Sequence, residues 1–118
     1  MDKLNIAIAG TGFGASVHLP ALRFSENLIA SSFFHHKENK REEIENKYGL
    51  KCYCDWSELI TKDNIDGIII ATPPESRFAL AKEALKYKKH LLLEKPVAIT
   101  SEEIEELQRI ALKDNLSV

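Results

Sequence analysis

Four groups of residues in this chain have the types and spacing to do chemistry. Gly10-Thr11-Gly12-Phe13-Gly14-Ala15 spaces small residues as G-x-G-x-x-A directly after the apolar run Leu4 to Ala9. A turn of this kind between a strand and a helix presents bare backbone amides to an anion. Gly10 permits the turn, Gly12 lets a phosphate approach the backbone, and Ala15 keeps helix and strand close. Gly14 either adds a flexible amide to the loop or simply starts the helix. Glu94-Lys95-Pro96 sets an acid beside a base after the apolar run Leu91-Leu92-Leu93. There Lys95 could hold a hydroxyl or carbonyl and stabilise negative charge developing on its oxygen, with Glu94 orienting the ammonium. A surface ion pair is the competing reading. Thr72-Pro73-Pro74 ends another apolar run with residues that stop a strand ladder and stiffen a loop. His35-His36-Lys37, followed by Lys40 and Arg41, collects imidazole and cationic donors that suit a phosphate.

These groups need a scaffold that brings them to one place. Strand-like runs at Leu4 to Ala9, Leu28 to Phe34, Lys51 to Tyr53, Gly67 to Ala71 and His90 to Leu93 alternate with helix-like segments. The helices are expected at Phe13 to Phe24, Glu38 to Tyr48, Trp56 to Ile60, Glu75 to Tyr87 and Ser101 to Lys113. Thr100 with Glu103 has capping-box spacing, and Ile104, Leu107 and Ala111 recur on one helical face behind it. Gly49 is a C-cap candidate for the second helix, whose only apolar stripe is Ile44 with Tyr48 and which therefore belongs on a solvated rim. Strict alternation predicts β-α-β units and an α/β fold. The expected form is a three-layer, Rossmann-like doubly wound parallel sheet of order 3-2-1-4-5, with a truncated sixth strand starting at Leu116-Ser117-Val118. All four groups then fall at the carboxyl edge, where the crevice between strands one and four receives ligands.

Composition narrows the partners. At 118 residues, 44% hydrophobic and 29% charged, the sequence is that of one soluble globular domain. No apolar run approaches the roughly 20 residues that a bilayer requires, so no membrane partner is expected. A net charge of −2 with both signs interspersed gives no reason to expect nucleic acid. Met1-Asp2-Lys3 enters the first strand without the succession of a signal peptide, which points to the cytoplasm. Cys52 and Cys54 lack a third ligand nearby and read as reduced, partly buried thiols, with no metal site implied. His18 reads as a capping or packing residue, His90 as a structural residue at a strand start, and Arg77 as solvating its helix face. An unfinished sheet edge predicts homo-oligomer formation through that edge.

The end of the second strand usually separates the two nicotinamide cofactors, because an acid there accepts from the ribose 2′-hydroxyl. His35 stands twenty residues after Ala15, where that acid is expected, and Lys37 and Lys40 follow. A carboxylate would repel a 2′-phosphate, whereas imidazole and ammonium can donate to it, so the pattern favours NADP(H), with NAD(H) still possible. Glu38 in the same stretch argues the other way, as does the ordinary solvation of basic residues on a rim.

G-T-G-F-G-A, I-I-A-T-P-P and E-K-P together resemble the N-terminal NAD(P)-binding domain of the Gfo/Idh/MocA oxidoreductases, the glucose-fructose oxidoreductase and inositol dehydrogenase family, over about Leu4 to Val118. The resemblance implies an NAD(P)-dependent oxidoreductase acting on a small-molecule sugar, cyclitol or related hydroxy or oxo compound. It implies that Lys95 lies beside nicotinamide and substrate, that Glu94 and Pro96 line the same pocket, and that Thr72-Pro73-Pro74 contacts the cofactor. Two positions depart from the family: Arg77 stands where a histidine is common, and His35 where many NAD users have an acid. Family members carry a second α/β domain that supplies the substrate pocket, so residues 1–118 are expected to bind the cofactor with little or no turnover. A complete, non-catalytic module that senses redox state or pairs with a separate chain is the alternative.

Overall fold

The computed structural model describes residues 3–10, 17–93 and 100–116, with the side chains of Pro74 and Glu75 excepted. Its elements are β1 (Leu4–Ala9), α1 (Leu19–Phe24), β2 (Leu28–Phe34), α2 (Arg41–Tyr48), β3 (Lys51–Tyr53), α3 (Trp56–Ile60), β4 (Gly67–Ile70), α4 (Pro74–Lys86), β5 (His90–Leu93) and α5 (Ser101–Lys113). Among the described residues, the strands form one all-parallel sheet in the order β3-β2-β1-β4-β5. The order reverses between β1 and β4, and that reversal opens the crevice expected from the sequence.

Two apolar layers explain why the sheet is covered on both faces. On one side Leu19 and Leu22 of α1 and Ile44 of α2 pack on Ile8, Phe33 and Ile69. On the other, Trp56, Leu59 and Ile60 of α3, Ala81, Ala84 and Leu85 of α4, and Leu107 and Ala111 of α5 pack on Ala7, Ala9, Ile68 and Ile70. The four residues of β4 are all buried, as the continuous Gly67-Ile68-Ile69-Ile70 run requires of a central parallel strand. The register between β1 and β2 slips between Ile6 and Ala7, leaving Ser31 unopposed. The Ser31 hydroxyl donates to the Ile6 carbonyl there, 3.3 Å away.

Local signals act as the sequence predicts. The Thr100 side chain accepts from the Glu103 amide and the Glu103 carboxylate accepts from the Thr100 amide, closing the capping box on α5. Gly49 ends α2 in the left-handed region, φ 71°, with its amide donating to the Glu45 carbonyl. Four boundaries shift, among them the end of α4, which falls at Lys86 where Tyr87 is expected. The first turn expected of α2, Glu38–Lys40, is a 3-10 turn. Helix α4 begins one residue early, because Pro74 suits the first helical position, where its missing N–H has no partner to lose. Strand β4 ends at Ile70, although the Ala71 amide still donates to the Ala9 carbonyl. The expected start of α1 at Phe13 and the sixth-strand residues Ser117 and Val118 lie outside the described residues, and Leu116 is not in a strand. No described helix is long and apolar enough to cross a membrane.

Candidate functional site

The carboxyl ends of β1, β2 and β4 meet in a short chain of backbone contacts. The Gly10 amide donates to the Phe34 carbonyl at 3.3 Å, the His35 amide to the Tyr53 carbonyl at 3.0 Å, and the Ala71 amide to the Ala9 carbonyl at 2.8 Å. Gly10 holds φ 107°, a conformation that side-chain-bearing residues rarely adopt. A Cβ on it would lie 2.7 Å from the Ala71 carbonyl oxygen and 3.3 Å from the Thr72 nitrogen. Gly10 and the peptide that enters the threonine-proline loop after β4 therefore pack directly on each other, and glycine is required for that approach.

Two consecutive prolines leave the loop after β4 with few amides of its own, so side chains hold it. Arg77 Nε donates to the Thr72 carbonyl at 2.6 Å. Ser76 Oγ lies 3.1 Å from Thr72 Oγ1 and 3.0 Å from the Pro73 carbonyl, which also accepts from the Ser76 amide. The expectation that Arg77 solvates its helix face is incorrect. Its side chain folds back over the first turn of α4 and is buried, 7% exposed.

His35 follows directly on β2. Its Nδ1 accepts from the Lys37 amide at 3.0 Å, which leaves Nε2 as the N–H of the neutral ring. The ring stacks on His36 with centroids 4.9 Å apart. Partial burial, then the neighbouring His36, and further off Lys37 and Lys40, hold the His35 pKa below 6.5 against the opposing Lys37 hydrogen bond. His35 with Lys40, Glu43, Ile44, Lys47 and Tyr48 lines a concavity of about 200 Å³ against α2. Lys40 is paired with Glu43 at 3.5 Å on the exposed surface, a contact that an incoming anion can displace at little cost. Lys47 was not singled out in the sequence; its position one helical face along from Lys40 and Ile44 was the available signal.

The remaining candidates divide clearly. Gly10, His35, His36, Lys37, Thr72, Pro73 and the backbone of Pro74 lie along the carboxyl edge of the sheet. Gly12, Phe13, Gly14, Ala15, Glu94, Lys95 and Pro96 lie outside the described residues. His18 and His90 line a different, apolar concavity of about 480 Å³ near Leu4, Leu28 and Asp66, at the opposite end of the strands. His18 occupies the position before α1 but makes no side-chain cap. Cys52 is buried, with its thiol pushed up to about 11 by that burial and by nearby Cys54, and half-buried Cys54 donates to the Lys37 carbonyl. Both are free. No group of three or more metal-ligating side chains is found among the described residues.

The model of an oxidoreductase family with an NAD-binding Rossmann fold, Gfo/Idh/MocA, matches residues 4–118. The chain belongs to this family. It is 34% identical to an uncharacterised oxidoreductase of Synechocystis over 98% of its own length and 32% of the relative's. To the myo-inositol 2-dehydrogenase of Thermotoga maritima it is 25% identical, over 88% of the chain and 31% of that enzyme. Among solved structures it superposes on a Synechocystis biliverdin reductase, determined with biliverdin and NADP+, with a TM-score of 0.88 and 28% identity. That match covers 97% of this chain and 36% of the reductase. The chain thus spans about a third of the length of the relatives it matches, and the part it spans is the family's NAD(P)-binding domain.

Proposed function

We propose that residues 1–118 form the cofactor domain of an NADP(H)-preferring oxidoreductase of the cytoplasm, whose substrate is a sugar, cyclitol or related hydroxy or oxo compound. The residues present fit such a cofactor. Gly10 and the turn after it would take the pyrophosphate, Thr72 and Pro73 would border the nicotinamide half, and His35, Lys40 and Lys47 would meet the 2′-phosphate. The bound cofactor supplies or accepts the hydride. Lys95 is assigned to the reacting oxygen of the substrate, flanked by Glu94 and Pro96, on the strength of the family motif. Without further polypeptide to supply an acid/base partner and a wall against water, the domain binds the cofactor but turns over little.

The observation that carries the NADP(H) reading is the end of β2. His35 offers an Nε2–H where an acid would accept from a ribose hydroxyl, and two lysines line the adjoining concavity. The named activity of the T. maritima relative supports the cyclitol class. The test is a calorimetric titration of NADPH and NADH, paralleled by Trp56 emission. Trp56 packs edge-on against Phe34, whose carbonyl accepts from Gly10, so it reports on this edge. NADPH should bind at least about tenfold tighter than NADH, the value of one or two charge-assisted contacts, and His35→Asp should reverse the order. Absence of saturable binding by either dinucleotide would refute the reading.

A further inference from the structure

We propose that Arg77 is the positioning residue of the cofactor edge, setting the distance between the Thr72-Pro73 loop and Gly10. The proposal rests on the dinucleotide-binding reading. Pro73 and Pro74 contribute no N–H, so the carbonyls of Thr72 and Pro73 find their donors in the first turn of α4. Ser76 serves Pro73, and Arg77 serves Thr72 through a 2.6 Å bond from a side chain that is 7% exposed. The preceding peptide, Ala71–Thr72, meets Gly10. The Thr72 nitrogen and the Ala71 carbonyl occupy the space where a Gly10 side chain would start. A rigid, planar donor on the Thr72–Pro73 peptide and a glycine against the Ala71–Thr72 peptide hold Thr72, which the two peptides share, from both sides. The guanidinium suits that task better than an ammonium, because its N–H groups are fixed in a plane and lose less freedom on bonding.

Thr72 lies at the switch point, away from the His35 end of the sheet, so Arg77 acts on features that both dinucleotides share. Three proteins are compared by calorimetry with NADPH and NADH: wild type, Arg77→Met, which keeps an apolar stem, and Arg77→Gln, which keeps a shorter neutral donor. The fold of each variant is checked by circular dichroism. Arg77→Met should weaken both dinucleotides by about tenfold, the worth of one buried hydrogen bond, with the NADPH to NADH ratio unchanged, and Arg77→Gln should recover part of the loss. The unchanged ratio separates this role from that of His35. A folded Arg77→Met or Arg77→Gln with wild-type affinity overturns the proposal. So does failure of both variants to fold, which would make Arg77 a core residue. A wild-type chain that binds neither dinucleotide removes the functional reading and this proposal with it, whereas tight wild-type binding with unaffected variants removes this proposal alone.

Discussion

Replacing Gly10 by alanine tests its close packing on the Ala71–Thr72 peptide. Two separate penalties apply. At φ 107° an alanine is held in a region that costs about 1–3 kcal/mol. Its Cβ would also sit 2.7 Å from the Ala71 carbonyl oxygen and 2.9 Å from the Ala71 carbonyl carbon, backbone atoms just past β4 in a residue whose amide is tied to the Ala9 carbonyl. Overpacking of that kind adds about 1–3 kcal/mol. The sum, about 2–6 kcal/mol, is a large share of the roughly 5–15 kcal/mol that holds a domain together. For 118 residues the unfolding entropy is about 250 cal/mol/K, so the Tm should fall by about 8–24 °C. Gly49→Ala is the internal control. Gly49 also has a positive φ, 71°, but nothing lies within 4 Å of its added Cβ, so only the strain of about 1–2 kcal/mol is expected. Urea unfolding followed by Trp56 emission gives both values. The reasoning is refuted if the Gly10 variant loses no more than the Gly49 variant.

Three further outcomes rest on particular contacts. Thr100→Ala removes the side-chain acceptor of the capping box on α5, leaving the Glu103 amide without its cap, and should cost about 1 kcal/mol, near 4 °C in Tm by thermal circular dichroism. Lys89 is buried, and its Nζ donates to the Lys62 and Ile65 carbonyls at 2.6 and 2.5 Å, so Lys89→Met should cost about 1–3 kcal/mol by leaving them without a donor. Burial holds the Lys89 pKa below 10.5 against Asp63 and Asp66, so between the folded value and 10.5 the unfolded chain binds more protons. Wild-type stability relative to Lys89→Met should therefore rise as pH approaches 10.5, and urea midpoints at about pH 7.5 and 9.5 check the sign. At about pH 8 an aromatic disulfide reagent should titrate Cys54 first. Cys52 is buried with about a thousandth of its thiol ionised and should react only as the chain unfolds; equal rates would contradict its placement.

What could be read without coordinates, and what could not, divides by the range of the interaction. The apolar run of β4, the Thr100–Glu103 box and the Gly49 cap are decided within a few residues, and each is found where the sequence puts it. The strand order is legible for the same reason, since alternating strands and helices with right-handed crossovers admit few arrangements. Arg77 escaped because an arginine on a helix is ordinarily solvated, and only the double proline Pro73-Pro74 just before it creates carbonyls that need it. Lys89 escaped likewise, since its partners lie 24 and 27 residues away. Gly10 is the instructive case. The motif assigns it one task, allowing a turn whose amides face a phosphate. Its contact with Ala71, 61 residues on, assigns a second, because the missing side chain also admits the neighbouring strand's last peptide. A glycine that meets two requirements on opposite sides cannot be moved to satisfy one alone. The spacing between Gly10 and the Thr72 loop is thereby built into the backbone, and Arg77 is the side chain placed to hold that loop from behind.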